Sequence, residues 1–249
     1  LDVIQATVDS LKQRAGTDDT LRALQQHHVS GFTVCPPKGA QLSQAEIESG
    51  LAKVLELGLP TAIYQLPQIT ENEISPEVFA ALAARYANFL LFKDTSGQDR
   101  VPMADCGASG IFLVRGAEGN YAQWLREAGG CYDGLLLSTA NCFAAELGEI
   151  ISLLEAKETE SAQVLSRRLT TAVDAVFEAV ADLPDGNAFA NANKAMDHIM
   201  AYGTRADTTA PPTLHAGSQL PESVIKRTHE ILVRTGFVPS RGYLANQPA

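Results

Sequence analysis

Two short apolar runs in this sequence each end in a side chain able to do proton-transfer or covalent chemistry. Leu59 to Ile63 leads into Tyr64 and then Gln65-Leu66-Pro67, and Phe89 to Phe92 leads into Lys93 and then Asp94-Thr95-Ser96-Gly97. A lysine closing a Phe-Leu-Leu-Phe run is unusual, because Lys is rarely buried unless it is paired or catalytic. In a dry pocket its pKa falls, leaving a nucleophilic amine. A phenol close by can carry protons for it. The same residues also fit a lysine that reaches from a strand end to solvent and a tyrosine that packs in a core. Residue types and spacing leave both readings open.

The elements that must position this pair are legible on either side of it. Leu59 to Ile63 and Phe89 to Phe92 read as buried strands, the first stopped by Pro67 and the second by the Thr95-Ser96-Gly97 turn. Between them, Ser75-Pro76-Glu77 opens a helix that runs to Tyr86. Serine suits the N-cap, and proline suits the first helical position, where a missing N–H is harmless. Strand, helix and strand with short connections make a right-handed parallel unit. Tyr64 and Lys93 then share the C-terminal edge of one sheet, the edge at which α/β folds keep their chemistry.

Further motifs follow in order: Val34-Cys35-Pro36-Pro37, Tyr64-Gln65-Leu66-Pro67, Phe92-Lys93-Asp94-Thr95-Ser96-Gly97, Leu113-Val114-Arg115-Gly116, and Gly134 to Asn141. Asn193-Lys194-Ala195-Met196 and Ala210-Pro211-Pro212-Thr213-Leu214 complete the series. Together, over roughly residues 19 to 239, they resemble the N-acetylneuraminate lyase and dihydrodipicolinate synthase family, pyruvate-handling class I aldolases. The resemblance implies an α/β fold, a (β/α)8 TIM barrel with a C-terminal helical extension. On it, residues 1–150 form the barrel portion and residues 151–249 the covering helices.

The resemblance also implies roles. Lys93 matches the Schiff-base lysine and Tyr64 the proton-relaying tyrosine, and no metal or organic cofactor is needed. The synthase branch carries an arginine two residues past the proline of the tyrosine motif, where this chain has Ile69. An apolar side chain cannot replace a bidentate guanidinium. The chain is therefore more similar to the lyase branch, and Ile69 joins the substrate-binding set. Thr95 is placed to hydrogen-bond a substrate hydroxyl, or else to cap its turn. Gly116 allows close backbone approach. Glu118 matches an acidic residue on a sugar-acid tail, or supplies a helix N-terminal charge, and Ser138 lines the pocket. Lys38-Gly39 stand where relatives carry tyrosines, and Lys38 is either a charge for an acidic substrate or a solvated loop residue.

The function so implied is a Schiff-base-forming lyase that cleaves or condenses a 2-oxo acid with an aldehyde. The alternatives are a 2-keto-3-deoxy sugar-acid dehydratase using the same imine, and a non-catalytic ligand-binding relative. Its partner is a small-molecule 2-oxo acid, and the family resemblance implies a homo-oligomer, a tetramer or dimer.

The rest of the chain sets bounds. Its 249 residues suffice for one large α/β barrel, and 19 basic against 29 acidic residues give a net charge of −10. That balance offers nothing to nucleic acid or an anionic membrane. No apolar run reaches the ~20 residues of a membrane helix, and no signal-peptide pattern opens the chain. Cys35, Cys106, Cys131 and Cys142 form no zinc spacing, so reduced thiols in a cytoplasmic protein are expected. The five histidines show no metal-ligand spacing. Two helix patterns, Leu1 to Arg14 and Thr20 to His28, precede the Gly31 to Cys35 strand, so segments for a barrel's first three strands are absent. Five strands alone would leave an open core and a raw edge.

Overall fold

The structure, a computed structural model, describes residues 1–244. The chain divides into two compact units, Leu1–Ala117 with Cys131–Leu136, and Glu118–Gly130 with the chain from Leu137 onward. The first unit opens with α1 (Asp2–Ala15) and α2 (Thr20–Gln26). Gly16 ends α1 in the left-handed conformation at φ 62°. Val8, Leu24 and Leu59 form a small core there, closed by Ile4, Leu11, Val29 and Phe32.

Strand and helix then alternate as β1 (Phe32–Val34), α3 (Gln44–Leu55), β2 (Thr61–Gln65), α4 (Pro67–Thr70), α5 (Pro76–Arg85), β3 (Phe89–Asp94), α6 (Arg100–Asp105), β4 (Phe112–Arg115) and β5 (Gly134–Leu135). Local signals start the helices. Ser43 and Glu46 close a reciprocal capping box on α3, and the Ser75 hydroxyl accepts from Val78 N–H at the head of α5. The five strands are all parallel and lie in chain order, β1-β2-β3-β4-β5. This is the α/β strand pattern of the TIM barrel, followed by C-terminal helices. Among the described residues no strand precedes β1.

The two faces of the sheet differ. Ile63, Phe92 and Leu113 are buried on the helix side, where Phe79 of α5 stands edge-on to Phe89 at 5.5 Å and Phe92 at 5.1 Å. Such pairs add to the burial of their area. On the other face Thr33 is exposed, Ala62 and Leu91 are half-buried, and Phe112 and Leu136 are each 50% exposed. Where β2 meets β3 the register slips. Thr61 pairs with Phe89 but Ala62 with Leu91, so Leu90 is an extra residue in a bulge and is 52% exposed.

The second unit is helical, with α7 (Ala140–Glu155), α8 (Thr159–Val180), α9 (Ala188–Tyr202) and α10 (Glu222–Thr235). In α8, Leu165, Leu169, Ala172, Val173, Val176 and Val180 recur every three or four residues and are buried, the spacing of one helix face. Gly203 terminates α9. No helix of the described residues is long and apolar enough to cross a membrane. The second compact unit holds α7 together with the later helices.

One expectation is overturned. Cys106 and Cys131 form a disulfide, with only Cys35 and Cys142 free. Their separation of 25 residues carries no local signal, and the turn after α6 and the approach to β5 bring the two Cα atoms to 4.6 Å. Disulfides are rare in reducing compartments, so the cysteines no longer argue for a cytoplasmic protein.

The unequal faces of the sheet are testable by chemical denaturation. Phe92→Ala should destabilise by about 3–5 kcal/mol, as large-to-small changes in a closed core do. Phe112→Ala on the open face should change stability by about 1 kcal/mol or less. Equal losses would show that the second face is packed as tightly as the first.

Candidate active site

The parallel pairing of β2 with β3 sets Tyr64 directly opposite Lys93. Paired residues of neighbouring strands project to the same face, here the open face, and both side chains are half-buried. The Lys93 Nζ stands 4.3 Å from the centroid of the Tyr64 ring. A cation in that position is attracted by the negative face of the ring. The amine and the phenol expected from the sequence thus meet through the ring face at the C-terminal edge of the sheet.

Thr95 and Gly116 join them. The Thr95 hydroxyl is buried and has no partner, and its residue is only 5% exposed. A Cβ added to Gly116 would lie 2.2 Å from Thr95 Oγ1 and 2.6 Å from Lys93 Cε. Only glycine fits there, and its bare backbone leaves room around the amine and the hydroxyl. The Gly116 N–H donates to the Asp94 carbonyl at 2.6 Å, and Gln68 Nε2 donates to the Thr95 carbonyl at 3.1 Å, fixing the turn after Lys93.

Behind this edge, on the helix side, sits a buried polar layer. Asp94 Oδ1 accepts from Ser96 N–H at 2.8 Å and from Gln65 Nε2 at 3.3 Å, while its Oδ2 has no partner. Burial pushes the Asp94 carboxyl up from the usual range, and the charge of Asp99 adds to the effect. Arg115 holds Asp99 through two bonds, Nε to Oδ1 at 3.0 Å and Nη2 to Oδ2 at 3.2 Å. Its Nη1 donates to the Ala117 carbonyl at 2.7 Å, and the Tyr132 hydroxyl donates to Asp99 Oδ1. Burial first, then the charges of Asp94 and Asp99, push the Tyr132 phenol up.

The remaining predicted residues are placed differently. Ile69 stands 60% exposed on α4. Lys38 is in an exposed ion pair with Glu71 at 3.0 Å, the solvated-loop reading of that residue. In the second unit, Glu118 and Ser138 do come together, with Ser138 Oγ donating to Glu118 Oε1 at 3.0 Å. Glu118 also accepts from Thr139 N–H at 3.3 Å, Thr139 Oγ1 at 2.6 Å and the Tyr121 hydroxyl at 3.1 Å. A carboxylate offers about four acceptor sites, and the chain's own donors take them all. Thr139 is the N-cap of α7, so Glu118 anchors the start of that helix. Asn193 Nδ2 fixes Ser138 Oγ from the other side at 2.9 Å.

Asp99, Arg115 and Tyr132 escape a sequence reading because their partners lie 16 to 33 residues away. Cys35 escapes it too. It follows Val34, the partner of Ile63, and so continues the row that holds Tyr64. Although the residue is exposed, neighbouring atoms desolvate the thiol enough to raise its pKa, and the charge of Lys93 acts the opposite way. Among the described residues, no group of three or more His, Cys, Asp or Glu side chains is arranged to hold a metal ion.

Residues 16–218 match the profile of the dihydrodipicolinate synthetase family. Among solved structures, the dihydrodipicolinate synthase of Thermotoga maritima superposes with a TM-score of 0.62 at 17% identity, covering 88% of this chain and 71% of that one. A prophage protein of the dihydrodipicolinic acid synthase family from E. coli K12, solved in complex with pyruvate, gives 0.67 at 18% identity, covering 88% and 70%. A variant of the Sulfolobus solfataricus 2-keto-3-deoxygluconate aldolase gives 0.62 at 15%, covering 89% and 71%. No curated protein matches the sequence.

The Asp94 carboxyl makes the stability of the fold depend on pH. Its pKa is raised in the folded chain, so its contribution is fully present below the unfolded value of about 3.9 and is lost as pH rises through the folded value. In Asp94→Asn both accepted hydrogen bonds survive and the ionisation disappears. Unfolding free energies measured across pH should therefore shift in favour of Asp94→Asn as pH climbs above about 4. A pH-independent difference between the two proteins would contradict this.

Proposed function

The chain belongs to the dihydrodipicolinate synthetase family, and from that premise we propose that it is a Schiff-base-forming lyase acting on a small 2-oxo acid. The observation that carries the reading is the register of β2 and β3, which sets the Lys93 amine 4.3 Å from the Tyr64 ring centroid. Two neighbours support it: an aldolase of 2-keto-3-deoxygluconate and a relative solved with pyruvate.

Lys93 attacks the C2 ketone of the substrate, and loss of water leaves a protonated imine between Nζ and C2. Tyr64 relays a proton as the C3–C4 bond breaks: its oxygen takes the proton of the C4 hydroxyl while its own phenol proton passes to the substrate carboxylate, from which it later returns. The bonding electrons flow through C3 toward the imine nitrogen, and the aldehyde departs. Protonation of the enamine at C3 and hydrolysis of the imine release pyruvate and restore the amine. Condensation runs the same steps backwards. The covalent route divides one difficult carbanion step into easier ones. The unpartnered Thr95 hydroxyl is the donor offered to the substrate, and Gly116 leaves the space in which it sits.

Incubation with pyruvate and cyanoborohydride should add the mass of the reduced imine at Lys93, located by peptide mass spectrometry. Lys93→Met should abolish the adduct, and an adduct-free Lys93 in the wild-type chain would remove the proposal. With a cleavable 4-hydroxy-2-oxo acid, Tyr64→Phe should slow release of pyruvate by ~10²–10⁴-fold, the usual range for a placed proton-transfer group. It should leave imine trapping much less affected.

A further inference from the structure

The short helix α6 is held at both ends by bonds that converge on two consecutive residues. Asp99, its N-cap, has φ 54° and Cys106, its C-cap, has φ 41°, left-handed conformations that non-glycine residues rarely adopt. Such backbone persists only where surrounding structure over-determines it. Asp99 is held by Arg115 and by the Tyr132 hydroxyl, and Cys106 by the disulfide to Cys131. The crosslink and the phenol therefore act on neighbours, Cys131 and Tyr132, to set where α6 lies.

From Asp99 the connection runs on to the reactive edge. Arg115 grips Asp99 with two bonds and holds the Ala117 carbonyl with a third. The turn between them is Gly116, whose backbone sits so close to Thr95 Oγ1 and Lys93 Cε that no Cβ fits. A shift of α6 is transmitted by a buried, bidentate ion pair, the kind of contact that resists bending. Cys106 is exposed and Cys131 half-buried, so a reagent in solution can reach the sulfur.

We propose that Cys106–Cys131 is a thiol-exchange site through which a small dithiol or a dithiol protein loosens the Gly116 turn and slows imine formation at Lys93. The inference rests on the imine reading of Lys93. In the exchange a thiolate of the reductant attacks Sγ of Cys106, the S–S bond breaks, and Cys131 leaves as a thiolate that takes a proton. The second thiol of the reductant then displaces Cys106, which is also protonated. Two electrons pass to the protein pair, and the reductant leaves as its own disulfide. Asp99 and Tyr132 act as positioning residues in this arrangement.

The test compares the chain prepared without reductant with the chain treated with dithiothreitol and desalted. Thiols are counted, and Lys93 is then labelled by pyruvate and cyanoborohydride, which reduces imines and spares disulfides. The oxidised chain should label about fivefold faster or more, the lower end of typical coupling between sites. Reoxidation should restore the rate. The Cys106→Ser/Cys131→Ser double variant should label at the reduced rate and ignore dithiothreitol, with an unchanged far-ultraviolet dichroism spectrum. Equal labelling in both states, or four free thiols in the untreated chain, overturns the proposal. If neither state labels, the imine reading fails by itself, and the exchange site is judged by near-ultraviolet dichroism. A reduction-induced tyrosine signal that disappears in Tyr132→Phe upholds the link from disulfide to Tyr132, and a spectrum insensitive to reduction overturns it.

Discussion

The site depends on one register slip. Thr61 pairs with Phe89, and continuous pairing from that point would set Tyr64 opposite Phe92 and leave Lys93 opposite Gln65. The bulge at Leu90 inserts one residue into β3, and from there each residue of β2 meets a partner one position further on. Because side chains alternate between faces with period two, a shift of one moves a whole strand's set across the sheet. The bulge lets Phe89 and Phe92 both face the helices, three residues apart, and then delivers Lys93 to the face that carries Tyr64. Bulges are common beside active sites, where they re-aim a side chain. Leu90 itself is left half out in solvent.

The packing of α5 explains why the slip is stable. Phe79 contacts Phe89 and Phe92 edge-on at the same time, a geometry available only if both rings point to the helix side. A regular strand would alternate them with period two and could not offer positions 89 and 92 together. The aromatic contacts on one face thus determine the position of the amine on the other. The other face packs less closely: Val114 is buried beside Lys93, but Phe112 and Leu136 remain half-exposed there.

Much of this architecture can be read locally and some of it cannot. Ser43 with Glu46, Ser75 with Pro76, and Gly203 announce helix ends within four residues, and each signal corresponds to an observed cap or stop. The shared edge of Tyr64 and Lys93 follows from strand, helix and strand in sequence. The bulge has no glycine or proline to mark it, because it arises from pairing between strands. Arg115 reads as a strand residue, and nothing around it points to Asp99 sixteen positions earlier. Glu118 reads equally well as a ligand for hydroxyls or as a helix-start charge. The hydroxyls that fill its acceptor sites belong to Tyr121, Ser138 and Thr139, and Ser138 and Thr139 lie some twenty residues downstream.

The buried polar layer beneath the strand ends shows what the reactive edge demands of the fold. Gln65, Asp94, Asp99 and Arg115 occupy helix-side positions at or just past the C-terminal ends of β2, β3 and β4, where apolar residues would pack more simply. Gln65 spans the gap between Asp94 and the Ile74 N–H, so the side chains behind Tyr64 and Lys93 are tied to each other and to the following loop. A buried ion pair is weak support for stability by itself, and an unpartnered carboxylate oxygen opposes it. What the layer supplies is rigidity of direction. Hydrogen bonds fix the turns after Lys93 and Arg115 at set angles, whereas an apolar layer of the same volume would hold only their depth. The imine chemistry proposed for Lys93 would call for that directional hold, and the fold keeps it alongside a strained Asp99 and an unsatisfied Asp94.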